Sequence, residues 1–172
     1  PPTEGDDPKK VETIRLPSRL FVKATERRLD LLLLPEDCDE LPHAGVRVRS
    51  GSNKSTLVYH APHVLIPKGF SRTAFADFDV SFQDAVRAIS GPKRDRKLLI
   101  FLAAYLRSPL ARYFLFHTAS NLGVSRQEVH VEELLRFPFP LPNDLPDAAR
   151  AAAKIDEAVE HVHSAARMAQ EP

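Results

Sequence analysis

Fifteen prolines in 172 residues limit this chain more than any other property. Each proline fixes its own φ, removes a backbone donor and pushes the residue before it out of the α region. Many extended or turning connections follow, and so a loop-rich fold instead of a helical bundle. The tightest case is Arg136-Phe137-Pro138-Phe139-Pro140-Leu141-Pro142, which must be extended. It holds no P-x-x-P, so an SH3-type ligand is not expected. Phe137, Phe139 and Leu141 are expected to close over the core.

Between the prolines the pattern alternates between strand and helix. Leu29 to Leu34 reads as a strand stopped by Pro35, and Arg47 to Lys54 as a flexible turn on its Ser, Gly and Asn. Leu57 to Tyr59 reads as a strand. Ala61 to Gly69, with proline near both ends, reads as an edge strand closed by a turn at Lys68-Gly69. Val80 to Ile89 is ambiguous between helix and strand, and Gly91-Pro92 ends it. Leu98, Leu99, Leu102 and Leu106 predict a helix from Asp95 to Arg107. Ser108 as N-cap and Pro109 at the first position restart a helix to about His117. Ser120 to Gly123 is a polar turn, and Ser125 and Glu128 have capping-box spacing before a short helix or strand.

The tail is the most regular segment: Leu145, Ala148, Ala152, Ile155, Val159, Val162, Ala166 and Ala169 recur in steps of three and four. That is a heptad seam, with Asp144 as its expected cap and a partner helix as its expected cover. The chain therefore reads as α+β: a small mixed domain with short strands and a two-helix segment, followed by a C-terminal heptad helix. The expected division is a domain over residues 1–142 and a spacer or docking helix over 143–172.

A formal net charge of +1 conceals strong segregation along the chain. Residues 1–40 carry −3, residues 41–112 carry +8, and residues 113–172 carry −4. No acid lies between Glu40 and Asp77, where Arg47, Arg49, Lys54, Lys68 and Arg72 stand. A second cluster follows at Lys93, Arg94, Arg96 and Lys97. Such polarisation favours an anionic partner. Asn reads adenine and Arg reads guanine in the major groove by bidentate hydrogen bonds, so Arg47, Arg49 and Asn53 are candidate base readers. The second cluster lacks planar readers around a turn and is assigned to phosphates.

Two blocks resemble target-recognition domains of N6-adenine DNA methyltransferases of type I and fused type II restriction-modification systems. One is Pro62-His63-Val64-Leu65-Ile66-Pro67-Lys68-Gly69. The other runs from Leu98-Leu99-Ile100-Phe101-Leu102-Ala103-Ala104-Tyr105-Leu106-Arg107-Ser108-Pro109-Leu110 through Gly123-Val124-Ser125-Arg126 to Glu133-Leu134-Leu135-Arg136 and the proline run. The heptad helix after it is similar to the spacer helix of type I specificity subunits. At position 107 the family's usual Leu-Asn-Ser reads Leu-Arg-Ser. The resemblance covers roughly residues 60–169 and implies a non-catalytic, sequence-specific module for double-stranded DNA. It further implies a methyltransferase catalytic domain or subunit as partner, with S-adenosylmethionine bound by that parent enzyme and no cofactor in this chain.

The chain lacks the Asn/Asp-Pro-Pro-Tyr/Phe element and the Gly-rich turn that such a methyltransferase needs, so catalysis is expected elsewhere in the parent. No catalytic and no metal-ligating residue is assigned here. His60 and His63 lack companions to complete a metal site, and Phe101 and Tyr105 read as core. The lone Cys38, among acids, reads as inert in a reducing compartment, and no signal peptide or membrane span is legible. A cytoplasmic location is expected. The chain starts on prolines in place of Met, as a piece of a longer protein would. Two other classes remain open: an assembly module acting through the heptad helix, and an enzyme using the clustered acids Asp77, Asp79 and Asp84.

Overall fold

A computed structural model describes residues 11–23, 29–49, 55–70, 72–83, 85–120 and 128–170. Among them lie strands β1 (Val11–Arg15), β2 (Leu20–Val22), β3 (Asp39–Glu40), β4 (Gly45–Arg49), β5 (His63–Pro67), β6 (Ala74–Ala76), β7 (Ser81–Phe82) and β8 (Val86–Ser90). The helices are α1 (Arg96–Arg107), α2 (Pro109–Thr118), α3 (Val131–Leu135) and α4 (Ala148–Gln170). The fold is α+β, as the sequence indicates.

All five residues of β5 are buried. It forms the centre of an antiparallel sheet, with β6 on one side and β8 on the other, and so is not the edge strand that its flanking prolines suggest. Pro62 lies just outside the strand and Pro67 is its last residue, so neither interrupts the ladder. Alternation along β5 serves two apolar cores. Val64 and Ile66 pack with Leu99, Ile100 and Leu106 of α1, while Leu65 packs with Val22, Leu29, Leu33 and Val80. A strand covered on both faces needs an unbroken apolar run, which is what Val64-Leu65-Ile66 supplies.

The Leu29–Leu34 segment does not form the strand expected of it; among the described residues it pairs through an isolated parallel bridge from Leu32 to Phe75. Its hydrogen bonds are Leu33 N–H to Phe75 O at 2.9 Å and Phe75 N–H to Leu31 O at 2.8 Å. Arg107 fastens the same segment from below, its Nε donating to Thr73 O and its Nη2 to Leu29 O, each at 2.6 Å. The Arg at this position thus joins the C-terminal end of α1 to two strand-like segments. Leu57–Tyr59 forms a 3-10 turn and not the strand expected of it. The ambiguous Val80–Ile89 stretch resolves into β7 and β8, and α1 and α2 stand where their spacing and caps place them. Ser108 Oγ accepts from Ala111 N–H at 3.2 Å. The Ser125–Glu128 box includes residues outside the described set.

In the proline run, Phe137 is buried against Tyr105 and Phe114, and Phe139 lies against Phe101 and Tyr105. Leu141 stays exposed, contrary to expectation. Asp147, not Asp144, caps α4, accepting from Arg150 N–H at 2.9 Å; Asp144 lies in the 3-10 turn before it. The middle of the heptad seam finds its cover within this chain: Ile155 and Val159 are buried in the α1 core. Lys97 Nζ meets Asp156 Oδ1 at 2.8 Å across the same contact. Ala152 and Ala169 of the seam remain exposed.

Because Ile155 is part of that core, Ile155→Ala is expected to cost about 2–4 kcal/mol in urea unfolding. A fragment ending at residue 143 should melt below the full chain. Equal melting temperatures would show that α4 adds nothing to the core.

Candidate nucleic-acid interface

Strands β1 and β2 on one side, and β3 and β4 on the other, form one antiparallel arm in a single register. Phe21 pairs with Asp39 and Leu20 with Glu40. Leu41 N–H then donates to Arg19 O and Leu16 N–H to Ala44 O, each at 2.8 Å. The pairing continues from Arg15 opposite Gly45 to Val11 opposite Arg49. Pro17 and Pro42 fall where the ladder is interrupted, at positions that need no donor. The arm is rooted at Val22, fully buried, where β2 runs parallel to β7. Among the described residues neither core draws a side chain from β1 or β4.

Residues directly opposite in an antiparallel pair share a face. Thr13 opposite Arg47, and Arg15 opposite Gly45, form one face, on which Thr13, Arg15 and Arg47 are exposed. Glu12, Ile14, Val46 and Val48 form the other and are half-buried. The distal half of the arm is therefore an amphipathic ribbon with a basic outer face.

This placement corrects the reading of Arg47 and Arg49 as turn residues, since both lie in β4. The alternation Val46, Val48 against Arg47, Arg49 carried the strand signal, masked by the Ser-Gly-Ser-Asn that follows. Asn53 and Lys54 lie outside the described residues. Arg15 was missed as a site residue, although Val11-Glu12-Thr13-Ile14-Arg15 alternates in the same way.

The remaining basic candidates stand on other elements. Lys68, in the turn after β5, has its Nζ 3.9 Å from Glu128 Oε1, which Arg87 Nη2 also approaches at 3.5 Å. Arg72 is exposed just before β6, and its charge reaches Arg107. Burial is the chief cause lowering the Arg107 pKa. Lys93 and Arg94 are exposed in the 3-10 turn before α1. Arg96 pairs with Asp77 at 2.6 Å and lies over the Phe75 ring, 5.5 Å from its centroid. Lys97 is held by Asp156. Much of the second cluster is thus engaged in ion pairs of the fold itself.

A clamp of three polar residues fixes the chain where it returns from the arm. His63, fully buried, donates from Nδ1 to Val58 O at 2.8 Å, and among the described residues its Nε2 has no partner within hydrogen-bond geometry. Desolvation, the largest cause, lowers its pKa, so the neutral Nδ1–H tautomer belongs to the fold. Asp79 accepts from Ala61 N–H at 2.9 Å and meets His60 Nδ1 at 3.1 Å. Of the clustered acids, Asp77 and Asp79 are thus engaged, and Asp84 lies outside the described residues. Among the described residues no group of three His, Cys, Asp or Glu is placed to hold a metal ion. No described helix is by itself long and apolar enough to cross a membrane.

No known protein family, curated protein or solved structure matches the chain.

The polar geometry gives two acid-sensitive windows. His63 has its folded pKa below the ordinary 6.5, so the unfolded chain takes up the proton first and stability falls as pH drops through that value. Glu133 accepts from Ser120 N–H at 2.6 Å, His130 N–H at 2.7 Å and Ser120 Oγ at 2.8 Å. These donors, the Ser120 amide foremost, hold its pKa at about 2, against an ordinary 4.5. Its contribution is present above 4.5 and lost as pH falls from there to about 2. Melting temperatures between pH 7 and pH 5 should therefore fall in the parent chain and change less in His63→Leu. The corresponding Glu133→Gln difference should appear only at lower pH.

Proposed function

We propose that this chain is a sequence-specific recognition module for double-stranded DNA, itself non-catalytic, working with an adenine-specific methyltransferase. The observation that supports it best is the β1–β4 ribbon, with Arg15 and Arg47 exposed on one face and Arg49 at its far end. A two-stranded ribbon is one of the two elements that fit the B-DNA major groove, and Arg is the usual reader of guanine there. The excess of +8 over residues 41–112 supplies the long-range attraction. The resemblance of residues 60–169 to target-recognition domains points the same way.

On this reading Arg15 and Arg47 face the groove, with Arg49, Asn53 and Lys54 following in the chain. Lys93 and Arg94 contact phosphate. Arg96 and Lys97 contribute less, because Asp77 and Asp156 already hold them. Lys68 and Arg72 steer more than they read. The partner domain binds S-adenosylmethionine and methylates the adenine that the module delivers, in the cytoplasm where the DNA lies.

Selection from a random duplex library supplies the test sequence. Arg47→Ala and Arg15→Ala should each cost about 1–3 kcal/mol on the selected duplex and much less on a scrambled one. Replacing Lys93 and Arg94 together should weaken both duplexes alike and flatten the slope of log K against log salt by about 0.9 per lost contact. Equal losses on both duplexes from Arg47→Ala would show that the ribbon positions the protein without reading bases. Undiminished binding by all of these variants would remove the proposal.

A further inference from the structure

Helix α2 buries only one side. Ala111 and Leu115 are fully buried in the α1 core, whereas Leu110 is 60% exposed, Tyr113 65% and Phe116 58%. These three stand at i, i+3 and i+6, one of the natural ridges of a helix. Tyr113 and Phe116 both set their rings edge-on to His117, with centroids 4.5 and 5.4 Å apart. A solvent-facing helix position gains nothing from a Leu, a Tyr and a Phe in a row. Such a patch marks a contact surface.

Charge narrows the choice of occupant. From Arg96 to Gln127 the sequence contains no acid, while Arg112 and His117 are exposed on α2 beside the ridge. A second copy of the same surface would set its Arg112 against this one, with no acid on α2 to answer it. Duplex DNA would press Leu110, Tyr113 and Phe116, which offer little to a phosphate, against a charged backbone. We infer that the outer face of α2 docks an amphipathic helix of a partner protein, one whose apolar stripe is flanked by Asp and Glu. The ridge spans about 9 Å along the axis, a little under two helical turns, and so offers the anchor spacing of helix-on-helix recognition. This surface lies on a different element from the arm and does not depend on the DNA reading.

The test uses the full chain and two fluorescent synthetic helices of about 20 residues with the same leucine stripe, one flanked by Glu and one by Lys. By anisotropy the Glu-flanked helix should bind at least about tenfold more tightly, a gap of about 1.4 kcal/mol. Tyr113→Ser with Phe116→Ser should weaken it about tenfold while leaving the melting temperature and duplex-DNA binding unchanged. Arg112→Glu should reverse the charge preference without removing the ridge. Failure of both helices to bind, equal binding of the two, or binding insensitive to these substitutions would overturn the inference. So would a dimer in sedimentation, or capture of a single-stranded oligothymidylate, that the double variant abolishes. Loss of duplex binding in Arg47→Ala bears on the arm alone, so the two readings fail separately.

Discussion

With Val64, Leu65 and Ile66 all buried, β5 has to be covered on both faces, and most of the architecture follows from supplying the two covers. Helix α1 lays Leu99, Ile100 and Leu106 on one face, and α4 is drawn in behind it through Ile155 and Val159. Val22, Leu29 and Val80 close the other face. Burying a side chain of this size contributes about 1.5–3 kcal/mol, so a strand that serves two cores gathers more stabilisation per residue than any edge could. The polar groups trapped in this arrangement are satisfied locally. Arg107 serves two carbonyls at the end of α1, and Thr73 Oγ1 donates to Ala103 O at 2.8 Å. Among the described residues His63 Nε2 lacks a partner, and a neutral ring costs far less to bury in that state than a charged one.

The arm is rooted in this centre. Val22 belongs to the second core, β2 is tied to β7, and one uninterrupted register carries that alignment out to Val11 and Arg49. On the returning side the 3-10 turn at Leu57–Tyr59 is held by His63, and the next two residues by Asp79. Both ends of the basic segment are thus anchored to β5 or to a strand that packs beside it, while the ribbon stands clear of the cores. The proposed DNA reading would require such a fixed base beneath the ribbon.

Where local chemistry decides the structure, the sequence is readable. Ser108-Pro109 starts α2 because the cap and the missing donor both act within one turn, and the seam of α4 is visible because its period is helical throughout. Where tertiary cover decides, it is not. Nothing in Ala61 to Gly69 distinguishes a doubly covered central strand from an edge strand with prolines, since both are short apolar runs. Likewise the seam residues announce a partner without saying that it is α1 of the same chain. The ribbon was legible in principle, as alternating β-branched and charged residues in two segments that lie far apart in sequence. Only the long-range pairing of Val11–Arg15 with Gly45–Arg49 turns that weak signal into a surface.

A count of basic residues is a poor guide to where an anion will bind, because cations on a folded surface are already distributed between internal and external partners. Arg96 is committed to Asp77 and the Phe75 ring, Lys97 to Asp156, and Arg87 to Glu128 and to the Val129 carbonyl. Each such pair is worth little as an exposed salt bridge, yet a phosphate would have to displace a carboxylate to reach the cation. Among the described residues Arg15, Arg47 and Lys93 have no such partner to displace. The attraction that segregated charge creates at long range is therefore spread over the middle of the chain, while the contacts that can exploit it concentrate on the ribbon and on the turn before α1.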